Sequence, residues 1–185
     1  KVFDGRQLAL KVSMNSVYGA TGATDTGKYP DLAVSATVTF QGREAMVIKK
    51  RILPERFPGV DVVYGDTDSV MLTFDDVTDM AAAGRRGPEV AAFVTEHFAA
   101  LGYPQMILEF EKAYLPYLLE GKKRYAGLKH EPDDTGGMVC KGVDCKGIET
   151  ERRDTLPFTK EVMRGCLDLL LQRCDERAAL AFFQE

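Results

Sequence analysis

The sequence predicts an α+β fold, with helices laid on one face of a mainly antiparallel sheet. Three observations carry this. Long stretches at both ends of the chain have helical spacing. The segment from Val62 to Leu72 places two apolar, β-branched runs on either side of a short polar tip, the pattern of a β-hairpin. Residues 123–128 and 138–143 read as strands around the turn-rich Glu131-Pro132-Asp133-Asp134-Thr135-Gly136-Gly137.

In chain order, Leu8, Leu10, Val12, Met14 and Val17 predict a helix from Asp4 to about Tyr18, ended by Gly19. Gly19, Gly22 and Gly27 then mark a loop that Pro30 closes. A second helix is expected from Pro30 to Leu53, with Lys49-Lys50-Arg51 near its end and Pro54 after it. Beyond the hairpin, residues 75–87 look like a loop or a helix entry. Pro88 to Leu101 has helical spacing, with Pro88 suited to a first turn and Gly102 following the end. Residues 106–111 alternate as a strand would, with Glu109 and Glu111 on one side and Leu108 and Phe110 on the other. Thr159 to Phe183 closes the chain as a long amphipathic helix burying Val162, Met163, Cys166, Leu169, Leu170 and Leu171.

At 185 residues, 45% hydrophobic and 28% charged, the chain has room for one sizeable core or two small subdomains. A net charge of −4 gives no global case for nucleic-acid binding. Any such case rests on local clusters: Lys49-Lys50-Arg51, Lys122-Lys123-Arg124 and Arg152-Arg153. Short charge runs are usually solvated faces. Cys140, Cys145, Cys166 and Cys174 form no Cys-x-x-Cys pair and are expected as reduced thiols of an intracellular protein. No signal peptide or membrane-spanning apolar run is visible, so no membrane partner is expected. A first residue of Lys1 already in helix-like sequence implies a piece of a longer polypeptide.

The chemistry concentrates at the hairpin tip, Tyr64-Gly65-Asp66-Thr67-Asp68-Ser69. Asp66 and Asp68 are two apart, so on extended chain they face one point, or straddle it if the turn falls between them. Close carboxylates repel unless a cation sits between them. A hard ion such as Mg²⁺, held by one or two carboxylates and substrate phosphates, meets that need. An EF-hand loop is disfavoured, because Met71 stands where its glycine belongs and no helix precedes the tip. On the first helix, Lys11, Asn15 and Tyr18 are spaced by four and three and share one face. They offer an ammonium for phosphate, an amide, and a ring able to stack on a sugar or base.

The run from Lys11 to Gly19, followed by Tyr64-Gly65-Asp66-Thr67-Asp68-Ser69, resembles the fingers helix and palm hairpin of family B DNA polymerases. Leu108-Glu109-Phe110-Glu111-Lys112, Lys122-Lys123-Arg124-Tyr125-Ala126-Gly127 and the stretch from Cys145 to Asp154 are similar to segments of that family's delta branch and its large-DNA-virus relatives. The resemblance implies a polymerase palm of antiparallel sheet backed by helices, with the end of the fingers at 1–27, palm at 28–143 and the start of the thumb at 144–185. It also implies two-metal nucleotidyl transfer, in which a primer 3′ hydroxyl attacks the α-phosphate of a deoxynucleotide and pyrophosphate leaves. Asp68 is then the expected ligand of two Mg²⁺ ions, with Asp66 beside it and Glu111 or Glu109 assisting. Lys11 and Asn15 would meet the triphosphate and Tyr18 the nascent base pair. Lys123, Arg124 and Tyr125 would touch the duplex, and Lys146, Arg152 and Arg153 would grip the primer strand.

The partners implied are primer–template DNA, a dNTP, the remainder of the polymerase chain, accessory subunits and a sliding clamp. The location implied is the nucleus for a cellular enzyme and the host cell for a viral one. The family's upstream Asp-x-x-Ser-Leu-Tyr-Pro segment, its exonuclease domain and the start of its fingers do not occur in these residues, so the isolated chain is expected not to polymerise. A non-catalytic DNA-binding module with this fold is the alternative. A metal-dependent nuclease would need a further acidic cluster, which the sequence lacks.

Overall fold

The computed structural model describes residues 2–184. Helices α1 (Val2–Gly22) and α2 (Leu32–Arg56) are followed by the hairpin β1 (Val60–Asp66) and β2 (Ser69–Phe74) and by α3 (Met80–Ala100). Strands β3 (Ala113–Gly121), β4 (Arg124–Pro132) and β5 (Met138–Lys146) form an antiparallel sheet in the order β3-β4-β5, and α4 (Pro157–Gln172) and α5 (Glu176–Gln184) close the chain. The fold is α+β, as the sequence predicts. Two compact units make it up. One holds the chain to Ile52 together with Thr67–Ser69, and the other holds 53–66 and the chain from Val70 onward.

In the first unit, α1 runs past Gly19 to Gly22, because a helix tolerates Gly where no left-handed turn is imposed. Asp31, in place of Pro30, starts α2: its carboxylate accepts from the N–H groups of Ala33 and Val34 at 3.1 and 3.2 Å. The helix also carries Pro54 within its last turn instead of stopping before it. Of the cations at 49–51, Lys49 is buried while Lys50 and Arg51 are exposed.

In the second unit, α3 begins eight residues before Pro88, since the Asp79 carboxylate caps it by accepting from Ala82 N at 2.7 Å. Pro88 thus lies inside the helix. Val90, Ala91, Val94 and Phe98 form its buried stripe, and Phe57 meets Phe93 edge-on at 5.4 Å. The strand expected at 106–111 does not form. The Leu108 N–H donates instead to the Thr95 hydroxyl of α3 at 2.9 Å, so those main-chain groups are met by a helix side chain.

The sheet's first strand is β3, which Pro116 disguises in the sequence, and its register against β4 shifts between Tyr114 and Tyr117 around that proline. On the sheet, Ala126 and Ile148 pack with Leu167 and Leu171 of α4, joined by Val143, Cys145 and Leu170. The single C-terminal helix expected is two helices. Cys174 takes a φ of +51° between them, and Asp175 caps α5 through Ala178 N at 2.8 Å. Cys140, Cys145, Cys166 and Cys174 form no disulfide with one another.

Candidate functional site

The hairpin turns in two residues, Thr67 and Asp68, with Thr67 in the left-handed region at φ +54°. Asp66 therefore ends β1, and Asp68 is the second turn residue and exposed. In the first unit, the Lys49 ammonium donates to the Asp68 main-chain carbonyl at 2.9 Å. Burial pushes the Lys49 pKa down, opposed by the charge of Asp68. Lys11, Asn15 and Tyr18 lie along α1, all exposed, on the common face their spacing predicts.

In the second unit, Asp66 meets the β3–β4 turn. Lys123, itself at φ +62°, brings its ammonium to 2.7 and 2.9 Å from the two Asp66 carboxylate oxygens. That hydrogen bond raises the Lys123 pKa. The Lys123 N–H donates to the Tyr64 phenol oxygen at 2.8 Å, fixing the turn against β1. Tyr125 follows with its ring 6.2 Å from Tyr64, 6.0 Å from Tyr114 and 5.6 Å from Tyr117. Tyr114 and Tyr117 stack at 5.3 Å, and the Tyr117 hydroxyl reaches the Met71 sulfur at 2.8 Å. Burial, with the neighbouring phenols, pushes Tyr117 up to about 12. The result is an aromatic shelf with a cation and a carboxylate at its rim.

Under the shelf lies Asp144 of β5, which the sequence did not single out, nor did it single out Tyr114 and Tyr117; Tyr64 and Lys49 stood only within the tip motif and a basic cluster. Tyr114 donates to Asp144 at 2.6 Å, and Lys112 and Lys146 stand 3.7 Å away. Burial works against its charge, but the phenol and the surrounding lysines outweigh it and hold the carboxyl below its usual range. A carboxylate so depressed adds stability above its unfolded value of about 3.9, and the contribution disappears as pH falls through the lower folded value. Tyr114→Phe should cost about 1–2 kcal/mol at neutral pH. The cost should shrink towards zero at acid pH, read from urea midpoints at several pH values; a pH-independent loss would exclude the Tyr114–Asp144 bond as its source.

The other expected contacts are distributed. Arg124 turns its guanidinium to Glu149 at 2.8 and 3.0 Å and to Glu120 at 3.1 Å. Arg152 pairs with Asp154 at 2.6 Å, while Arg153 lines an open cleft of about 630 Å³ with Thr155, Lys160 and Arg164. Glu109 and Glu111 are exposed on the irregular stretch before β3, Glu111 at 4.0 Å from Lys112. Among the described residues, no group of three or more His, Cys, Asp or Glu side chains is arranged to hold a metal. The tip still offers hard carboxylate oxygens, the donor type Mg²⁺ prefers.

Residues 1–184 match the family described as DNA polymerase family B. The chain belongs to that family. Among curated family B polymerases, it is 46% identical to the DNA polymerase delta catalytic subunit of Caenorhabditis elegans and 47% identical to that of Schizosaccharomyces pombe, each over 98% of the chain. Identity to the Drosophila melanogaster subunit is 44% over 100% of the chain. The matched region is 16–17% of each of these relatives, so the chain spans about a sixth of the length of the curated relatives it matches. No helix among the described residues is long and apolar enough to cross a membrane.

Proposed function

We propose that this chain is the palm, with the end of the fingers and the start of the thumb, of a replicative DNA-directed DNA polymerase that adds dNTPs to a primer 3′ hydroxyl. The observation that carries the reading is the Asp66-Thr67-Asp68 tip, two carboxylates at a tight turn in a chain that matches family B from end to end. Asp68 would hold the metal, and Asp66, two residues before it in the chain, shares its charge with Lys123. Two Mg²⁺ ions, when bound, supply Lewis-acid activation of the primer hydroxyl and the α-phosphate. Two carboxylates with phosphate oxygens and water suit so hard an ion.

Lys11 and Asn15 meet the triphosphate, where the ammonium offsets charge on the departing pyrophosphate. Tyr18, one turn on, packs near the new base pair. Lys123 and Tyr125 face the duplex, and Lys146, Arg152 and Arg153 hold the primer strand through its phosphates, without reading sequence. Arg124, forked onto Glu149 and Glu120, shapes the strand that carries them. Glu111 would assist a metal from the segment before β3. The fingers, palm and thumb divide at about residues 27 and 143. The remaining partners are the rest of the polymerase chain, accessory subunits and a sliding clamp, and the place of work is the nucleus, or the host cell of a virus.

The 185 residues alone should not extend a primer, because the Asp-x-x-Ser-Leu-Tyr-Pro segment, from which the family resemblance implies a further metal-binding acid, does not occur in them. In the complete polymerase, Asp66→Asn/Asp68→Asn should abolish primer extension while the protein still binds duplex. Unchanged extension would give the chain a non-catalytic, DNA-binding role.

A further inference from the structure

Lys49 is 4% exposed on α2, whereas its neighbours Lys50 and Arg51 are exposed. Lysine is seldom buried without a partner, since an ammonium out of water needs compensating hydrogen bonds. The bond here, 2.9 Å long, runs to the main-chain carbonyl of Asp68, nineteen residues further along the chain. A carbonyl gripped in this way fixes the peptide plane between Asp68 and Ser69. With Thr67 already at φ +54°, the two-residue turn has little freedom left. The direction of the Asp68 Cα–Cβ bond follows from that main-chain geometry, so the helix side chain sets where the carboxylate points. A lysine suits the task because its four-carbon stem is at home among apolar neighbours such as Ala45 and Ile52, both buried on the same helix.

We propose that Lys49 is a positioning residue for nucleotide addition, holding the acidic turn so that Asp68 meets the metal-bound nucleotide in one orientation. This rests on the reading of Asp68 as a metal-binding acid and assigns its orientation to a residue on another element. The contact is to the main chain, so Lys49 acts through Asp68 and touches neither nucleotide nor metal.

The test is pre-steady-state primer extension by the complete polymerase carrying Lys49→Met, with Mg²⁺ and dNTP titrated separately. Lys50→Met and Asp68→Ala are run alongside. Methionine keeps the length of the side chain and removes the charge and the donor. The polymerisation rate constant should fall about ten- to a hundredfold, as small displacements of catalytic groups do. The Mg²⁺ concentration for half-maximal rate should rise, while dNTP and primer–template affinity stay unchanged and Lys50→Met behaves as wild type. The burst amplitude counts only active molecules, so the rate constant is read free of any loss in folding.

A wild-type rate constant for Lys49→Met would overturn the proposal, as would a reduced burst amplitude at unchanged rate, or an equal loss from Lys50→Met. If Lys49→Met is normal while Asp68→Ala is inactive, only the positioning role falls. If Asp68→Ala itself retains the rate, the metal-binding reading of Asp68 falls, and the positioning role with it.

Discussion

Alanine at Asp68 in the complete polymerase should lower the rate of nucleotide addition by a factor of about a thousand, or about 4 kcal/mol of transition-state stabilisation. Alanine at Asp66 should cost only about ten- to a hundredfold, the range of a supporting partner. The difference follows from what each carboxylate already does. Asp66 is committed to the Lys123 ammonium at 2.7 and 2.9 Å, and its side chain is 32% exposed. Asp68 is exposed at the turn, and the hydrogen bond it receives from Lys49 goes to its main chain, which leaves the carboxylate for a cation. Losing Asp66 also releases the Lys123 ammonium, so Asp66→Ala should steepen the salt dependence of duplex binding without weakening it at low salt, while Asp68→Ala leaves that dependence unchanged. Single-turnover extension at saturating dNTP and Mg²⁺, with duplex affinity measured separately, distinguishes the two. Equal losses at the two positions would contradict this division of labour.

A second large effect is expected in stability, at Gly147. Its φ is +65°, and a β-carbon there would run into the main-chain carbonyl oxygen of Lys123. Gly142 also has a positive φ, +90°, but a β-carbon at that position meets nothing within 4 Å. Gly142→Ala should therefore cost only the backbone strain, about 1 kcal/mol. Gly147→Ala adds a collision with main chain that no rotamer change relieves, for a total of about 3 kcal/mol. The β3–β4 turn must shift to accommodate it, and Lys123 with it. Urea midpoints for the two variants give the comparison; losses of the same size would mean that the close approach to Lys123 is unimportant.

How far the sequence could be read depended on whether the deciding interaction is local. The hairpin was legible because β-branched alternation and a polar tip are properties of a few consecutive residues. The start of α3 was misplaced because Pro88 is a conspicuous signal, while the residue that begins the helix is Asp79, an ordinary-looking acid in a polar run. The stretch at 106–111 has a strand's alternation, but the Leu108 N–H is taken by Thr95, thirteen residues back. β3 was hidden by Pro116, which lowers any strand expectation. Within the site, Asp66, Lys123 and Tyr125 were all picked out, and the structure brings them to one rim. Lys49 was read only as one of a basic cluster and Asp144 not at all, because burial of a charged residue depends on tertiary contacts and leaves no mark in a run of cations or in an alternating strand.

Helix α1 has no buried residue, although it carries Phe3, Leu8, Leu10, Met14 and Val17. In α3, of equal length, four side chains are buried, and its amides share the stability of the core. A helix of 21 residues with no packed face has the stability of a free peptide, and Gly5 and Gly19 lower it further. Its amide protons should therefore exchange with solvent by local fraying, long before the core opens. Ordering a helix end costs about 1–2 kcal/mol per residue in backbone entropy. Any partner that covers α1 therefore spends part of its binding energy winding this helix, so its affinity is coupled to helix formation.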